Sequence, residues 1–186
     1  MTSMRIIVSG LTASGKSTLA RGLSKSLGLE YFSASSKLRE IMPPREFEFW
    51  ESQKGLDAIR FRLKHPQYDK ALDNYIVRNV RTQTNIILDS WVASWKVNAP
   101  STIKIYLKVD VKERARRVSE RDGIKFGPAL KFMKEKDRLT AKVYMNIYGI
   151  DIANDLTPFD LVVDSTHLQV EELRKLCLNY IILQKK

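Results

Sequence analysis

The chain of 186 residues has one cysteine, two histidines and no long apolar run. A lone thiol excludes an internal disulfide, and Cys177 sits in the apolar-periodic "LRKLCLNYIIL", where a buried helix position is expected. His65 and His167 have no ligand-bearing neighbours, so neither a zinc site nor a Ser-His-Asp arrangement is expected. No stretch approaches the ~20 apolar residues that cross a bilayer. The first residues already read as strand and loop, which leaves no room for a signal peptide. The expected location is the cytoplasm, with no membrane partner. Acid is short as well: 21 Asp+Glu against 32 Lys+Arg give a net charge of +11. Such an excess favours anionic partners, whether nucleotides or nucleic acid, but it is spread from Lys16 to Lys186 rather than gathered in one run.

What the chain does have begins at "GLTASGKST". Gly10, Gly15, Lys16 and Ser17 meet the G-x-x-x-x-G-K-[ST] spacing. Glycines let successive N–H groups of Thr12, Ala13 and Ser14 turn inward as an anion nest, and the helix starting near Gly15 adds its positive end. Lys16 can then reach β- and γ-phosphates, and Ser17, followed by Thr18, can offer a hydroxyl to Mg²⁺. The context is right: a strand-like run, Arg5–Ser9, precedes the loop, and Leu19, Leu23 and Leu27 follow at helical spacing up to Gly28, a C-cap. A nucleoside triphosphate, ATP, with Mg²⁺ is the expected donor. The acceptor is the open question.

Strand patterns recur at Arg5–Ser9, Glu30–Ser33, Asn85–Asp89, Lys104–Val109 and Asp160–Asp164, and helical patterns at 16–27, 36–42, 46–64, 68–81, 111–121, 126–147 and 169–183. Alternating strands and helices with near-continuous apolar strands predict one α/β domain over 1–186, a parallel sheet covered on both faces. Pro43-Pro44 and His65-Pro66 are breaks. The excursions 34–84 and 118–155 are too long for simple crossovers.

Several clusters could serve such a loop. Asp89 ends "NIILD", where an acid orients Mg²⁺ or its water. Arg114, Arg117 and Arg121 fall at i, i+3 and i+7, and paired guanidinium groups there suit adenine stacking and neutralisation of the transferring phosphoryl. Arg39 is a candidate for an acceptor phosphate. Asp69 and Asp73, at i and i+4, are candidates for a base edge. Trp91 and Trp95, also at i and i+4, are either core or an aromatic platform for the acceptor.

Together, "GLTASGKST", "YFSASSKLRE", the D-x-x-x-D of Asp69 and Asp73, "RVSERDG", "IYGIDI" and "FDLVVDSTHLQVEEL" resemble the nucleoside monophosphate kinases, and among them the archaeal-type cytidylate kinases. The resemblance covers nearly the whole chain. It implies a five-stranded P-loop sheet of order 2-3-1-4-5, an acceptor-binding insert over 34–84 that includes Ser35, and a lid over 118–147. It also implies adenine contacts from Ser165 and Thr166, and it assigns Arg117 and Arg121 to adenine and phosphates. Three departures stand out. Asp89-Ser90-Trp91 replaces an Asp/Glu-Gly-Arg whose arginine serves the acceptor phosphate. Lys136-Asp137 and Val143-Tyr144 replace the lid's Arg-Glu and Arg-Tyr, and Ser35 replaces a glycine. Lys136 can supply charge but not a bidentate fork, and Arg138, two positions on, is a candidate substitute.

Three readings follow: an ATP- and Mg²⁺-dependent kinase of nucleoside monophosphates, CMP or dCMP foremost; a related phosphotransferase with a changed acceptor; and a nucleotide-dependent switch with an RNA or ribosomal partner. The second expects Trp91→Arg to gain activity on CMP. The third expects RNA affinity that falls steeply with salt. Oligomeric state has no sequence signal.

Overall fold

A computed structural model describes residues 4–43 and 55–184. Five strands, β1 (Arg5–Gly10), β2 (Glu30–Ser33), β3 (Ile86–Asp89), β4 (Thr102–Lys108) and β5 (Leu161–Asp164), form one parallel sheet of order β2-β3-β1-β4-β5. The order is the expected one. Central β1 pairs Ile7 with Leu88 of β3 and with Lys104 of β4, so its end and that of β3 open on the same edge.

Eight helices pack around this sheet among the described residues: α1 (Lys16–Leu27), α2 (Ala34–Ile41), α3 (Gly55–Lys64), α4 (Gln67–Thr82), α5 (Ala93–Lys96), α6 (Val111–Asp122), α7 (Phe126–Tyr148) and α8 (Val170–Leu183). Period-two geometry decides the layers. Ile6 and Val8 face one side, with Leu19 and Leu23 of α1 and Leu173, Cys177 and Ile181 of α8. Ile7 faces the other, with Leu38 of α2 and Leu72 and Ile76 of α4. Each such fully buried aliphatic contributes about 1.5–3 kcal/mol. Cys177 is in this core, and burial pushes its thiol up to about 11.

The helical pattern expected over 46–64 is realised as α3, and its first part falls outside the described residues. Pro66 separates α3 from α4 as expected. The short α5 was not anticipated, because four residues cannot show a helical period. The long α7 runs unbroken until Gly149 adopts φ 67° as its C-cap. It packs on α6 through Ala115, Val118, Ala129 and Met133, and on α3 through Ile59, Leu139 and Val143. The stretch 34–84 thereby touches the stretch 118–147 directly.

Candidate active site

The loop from β1 to α1 has the backbone its glycines foretell. Gly10 has φ +144°, and a Cβ there would lie 2.5 Å from the Leu107 carbonyl oxygen, so only glycine fits. Ala13 at φ 60° and Gly15 at φ 93° turn the chain into α1. Lys16 Nζ donates to the Leu11 carbonyl at 3.2 Å across the loop. Burial lowers its pKa, Asp89 opposes that, and Arg114 adds to it. The Ser17 hydroxyl donates to the Asp89 carboxylate, which also accepts from the Tyr31 hydroxyl at 3.2 Å.

Two cavities flank this loop. The first, about 530 Å³, is lined by Thr12, Ala13, Lys16, Ser17 and Asp89 on the loop side. Its far wall carries Ser35 and Arg39 of α2, Asp73 of α4, and Trp91, with Tyr144 of α7. Arg121 and Lys136 complete its lining of charged side chains. The second, about 490 Å³, is lined by Ser14, Gly15, Thr18, Arg117, Ser165 and Thr166. The Ser14 and Ser165 hydroxyl oxygens are buried without a hydrogen-bond partner among the described residues, so the second cavity's rim has unspent polar capacity. Arg117 spans this rim: Nη1 donates to Ser14 O at 3.5 Å and Nη2 to Ser165 O at 3.3 Å, while Nε pairs with Glu113 at 2.9 Å. Thr166 is occupied structurally, its hydroxyl bonded to Asp164 at 2.6 Å and accepting from Asp110 N at 3.0 Å.

The three arginines expected to share a face do separate tasks. Arg114 is buried. It donates to both oxygens of Asp137 at 2.9 and 2.6 Å and to Thr12 O at 3.3 Å, tying the phosphate loop to α7. Arg117 covers the loop's outer side. Arg121, bonded to Asp122, faces the first cavity.

Neither Asp69 nor Arg138, both expected at the site, lines either cavity. Asp69 is 1% exposed and held in a buried ion pair with Arg62. Arg138 is exposed and paired with Glu135 at 2.7 Å, pointing away from both cavities. The cation that faces inward from α7 is Lys136, 7% exposed, whose ammonium is lowered to about 8 by burial, then by Arg121, Lys16 and Arg62. Trp91 lines the cavity while packing edge-on to Tyr144 at 6.1 Å, with Lys16 Nζ 5.9 Å from its ring centre. Asp73 does face the cavity. Burial raises its pKa to about 6, against the hydrogen bond from the Tyr148 hydroxyl. Arg62 escaped the sequence reading, and Tyr144 entered it only as part of the lid pattern; no local pattern in "FRLKH" marks a buried guanidinium.

A phosphate loop on a 2-3-1-4-5 parallel sheet, opening on a cavity lined with basic side chains, defines a P-loop kinase. Comparison with known proteins narrows this. Residues 5–167 match the model of the cytidylate kinase-like family. The chain is 35% identical over 179 residues to a cytidylate kinase of Pyrobaculum islandicum, covering 95% of this chain and 91% of that protein. It is 34% identical over 181 residues to one of Sulfurisphaera tokodaii, covering 96% and 95%. A shikimate kinase structure from Acinetobacter baumannii shares the fold, with a TM-score of 0.60 at 17% identity over 99% of this chain and 96% of that one. The chain belongs to the cytidylate kinase-like family. Among the described residues no helix is long and apolar enough to cross a membrane.

Proposed function

We propose that the chain transfers the terminal phosphoryl of ATP to a nucleoside monophosphate, with CMP or dCMP as acceptor. The observation that carries this is the first cavity: a phosphate loop with Lys16 on one wall, Ser35, Arg39 and Asp73 on the other, and Arg121 and Lys136 also in its lining. The cytidylate kinases named above support the choice of acceptor. In this reading Gly10, Thr12, Ala13, Ser14, Gly15, Lys16, Ser17 and Thr18 hold the donor phosphates. Arg117, Ser165 and Thr166 border the adenine side.

The contact between the Ser17 hydroxyl and the Asp89 carboxylate supplies two hard oxygen donors at the loop, which suits Mg²⁺. Ser17 and Asp89 would hold it, and the ion would neutralise phosphate oxygens there. Phosphoryl transfer asks the protein for position and positive charge rather than for a base. Lys16, Arg121 and Lys136 supply that charge. Burial holds the Lys136 pKa down to about 8, and an arriving phosphate favours its charged form. On the acceptor side Arg39 meets the phosphate. Asp73, when ionised, accepts a hydrogen bond from the exocyclic amine of cytosine, which uracil lacks.

The test is ADP release from Mg-ATP with CMP, dCMP, UMP, AMP, GMP or no acceptor, with Lys16→Met as the blank. CMP and dCMP should stimulate release and the blank should show none. Release that no monophosphate stimulates would refute the proposal.

A further inference from the structure

Behind the acceptor wall lies a buried charge that the chemistry above does not use. Arg62, on α3, has no exposure. Its Nε donates to both oxygens of Asp69 at 2.9 and 3.1 Å, and its Nη2 to the Tyr144 hydroxyl at 3.0 Å. The guanidinium carbon is 5.4 Å from the ring centre of Trp91 and 5.6 Å from that of Tyr144. Arg62 therefore ties together α3, α4, the segment after β3 and α7. Cohesion alone is a weak reason for such a group, since apolar side chains of similar volume usually hold helices together as well as a buried ion pair does. Arg62 is not in the cavity wall, but Trp91, Tyr144 and Asp73 are. Whatever it does for the acceptor, it does through them.

We propose that Arg62 is the positioning residue of the acceptor site: it fixes Trp91 and Tyr144 in the cavity wall and keeps Asp73 ionised beside Asp69. The inference rests on the acceptor reading above and deepens it, because an ionised Asp73 is what selects an amine-bearing base. Asp69 and Asp73 are one helical turn apart and both buried. Two such carboxylates do not stay charged without a cation between them and solvent. The groups facing Asp73 are Tyr148 of α7, Asp69 on its own helix, Arg62 of α3 and Lys96 of α5, with Arg39 of α2 sharing the cavity. Burial is the main force raising its pKa; Tyr148, Arg62 and Lys96 resist it and Asp69 assists it.

The experiment is the KM for CMP and for ATP, from about pH 5 to about pH 8, for the wild-type chain, R62M, R62K and the double variant R62M/D69N. Wild-type CMP affinity should fall as pH drops through about 6. In R62M that midpoint should rise by about one pH unit. Below the wild-type midpoint the CMP KM should approach about tenfold over wild type, one pH unit being a factor of ten, with the ATP KM unchanged. R62K keeps the charge and should keep the midpoint. If R62M does not fold, the double variant carries the test, because it leaves no lone buried charge. Its CMP KM should rise while its midpoint stays near that of wild type, one charge of each sign having gone. An unshifted midpoint in folded R62M, or an unchanged CMP KM in the double variant, overturns the proposal. Wild-type protein that does not turn over CMP refutes the acceptor reading and this inference with it; wild-type turnover with an unshifted R62M refutes this inference alone.

Discussion

Replacing Lys136 with methionine should make the protein more stable and a far poorer kinase. The stability gain follows from burial. Lys136 is 7% exposed, with Arg121, Lys16 and Arg62 close enough to oppose its charge. A fall in pKa from 10.5 to about 8 corresponds to about 3 kcal/mol of differential stabilisation. The sign follows from proton counting. Between about 8 and 10.5 the unfolded chain binds the Lys136 proton and the folded chain does not, so wild-type stability rises with pH through that window. Below about 8 both states are protonated and the full cost is present. Methionine fills a similar volume without the charge, so Lys136→Met should gain up to about 3 kcal/mol at neutral pH. It should also lose the stability increment between pH 8 and 10.5. Removing one preorganised charge from a transferring phosphoryl should cost kcat about 10²–10³-fold, as for a lost oxyanion donor. Urea unfolding at pH 7 and in the alkaline window, with CMP-dependent ADP release at pH 7, reads both effects. A destabilised variant with full kcat would show that Lys136 is a structural residue and refute its role in phosphoryl transfer.

Two further substitutions separate neighbouring residues that look alike in sequence. Arg138→Ala removes an exposed pair with Glu135, and should change stability little and leave kcat and both KM values near wild type; a large loss of kcat would return Arg138 to the site. Trp91→Arg, which the changed-acceptor reading expects to gain activity on CMP, would put a third cation where Lys16 and Arg62 already lie 5.9 and 5.4 Å from the ring centre. It should instead lower stability by about 3 kcal/mol or more and give no gain in CMP turnover, measured by thermal unfolding and ADP release; a folded variant with higher turnover would favour the changed-acceptor reading.

Most of the scaffold was legible because its signals are local. Apolar strands of four to seven residues, Gly28 as a helix stop, and Pro66 between two helices each act through the backbone of their own segment. The phosphate loop is the extreme case, since nearly all of its donors come from one short stretch. The short α5 was missed for want of length. The acceptor wall was read less well, because its residues come from α2, α4, α7 and the segment after β3, and their meeting depends on packing.

Lys136 and Arg138 show where the division falls. The sequence by itself determined that α7 is a basic helix and that this stretch offers cations to a phosphate site. It did not determine which of them enters. At 3.6 residues per turn, two positions differ by about 200° around the helix axis, so one of the pair faces inward only if the other faces out. Leu139 and Val143, packed on Ile59, and Met133, packed on Ala115 and Val118, set the rotation of α7. That rotation turns Lys136 into the cavity and Arg138 into solvent. The same packing delivers Tyr144 to Arg62 and Tyr148 to Asp73. Residue chemistry was fixed in the chain; direction came from the neighbours against which each helix could bury its apolar face.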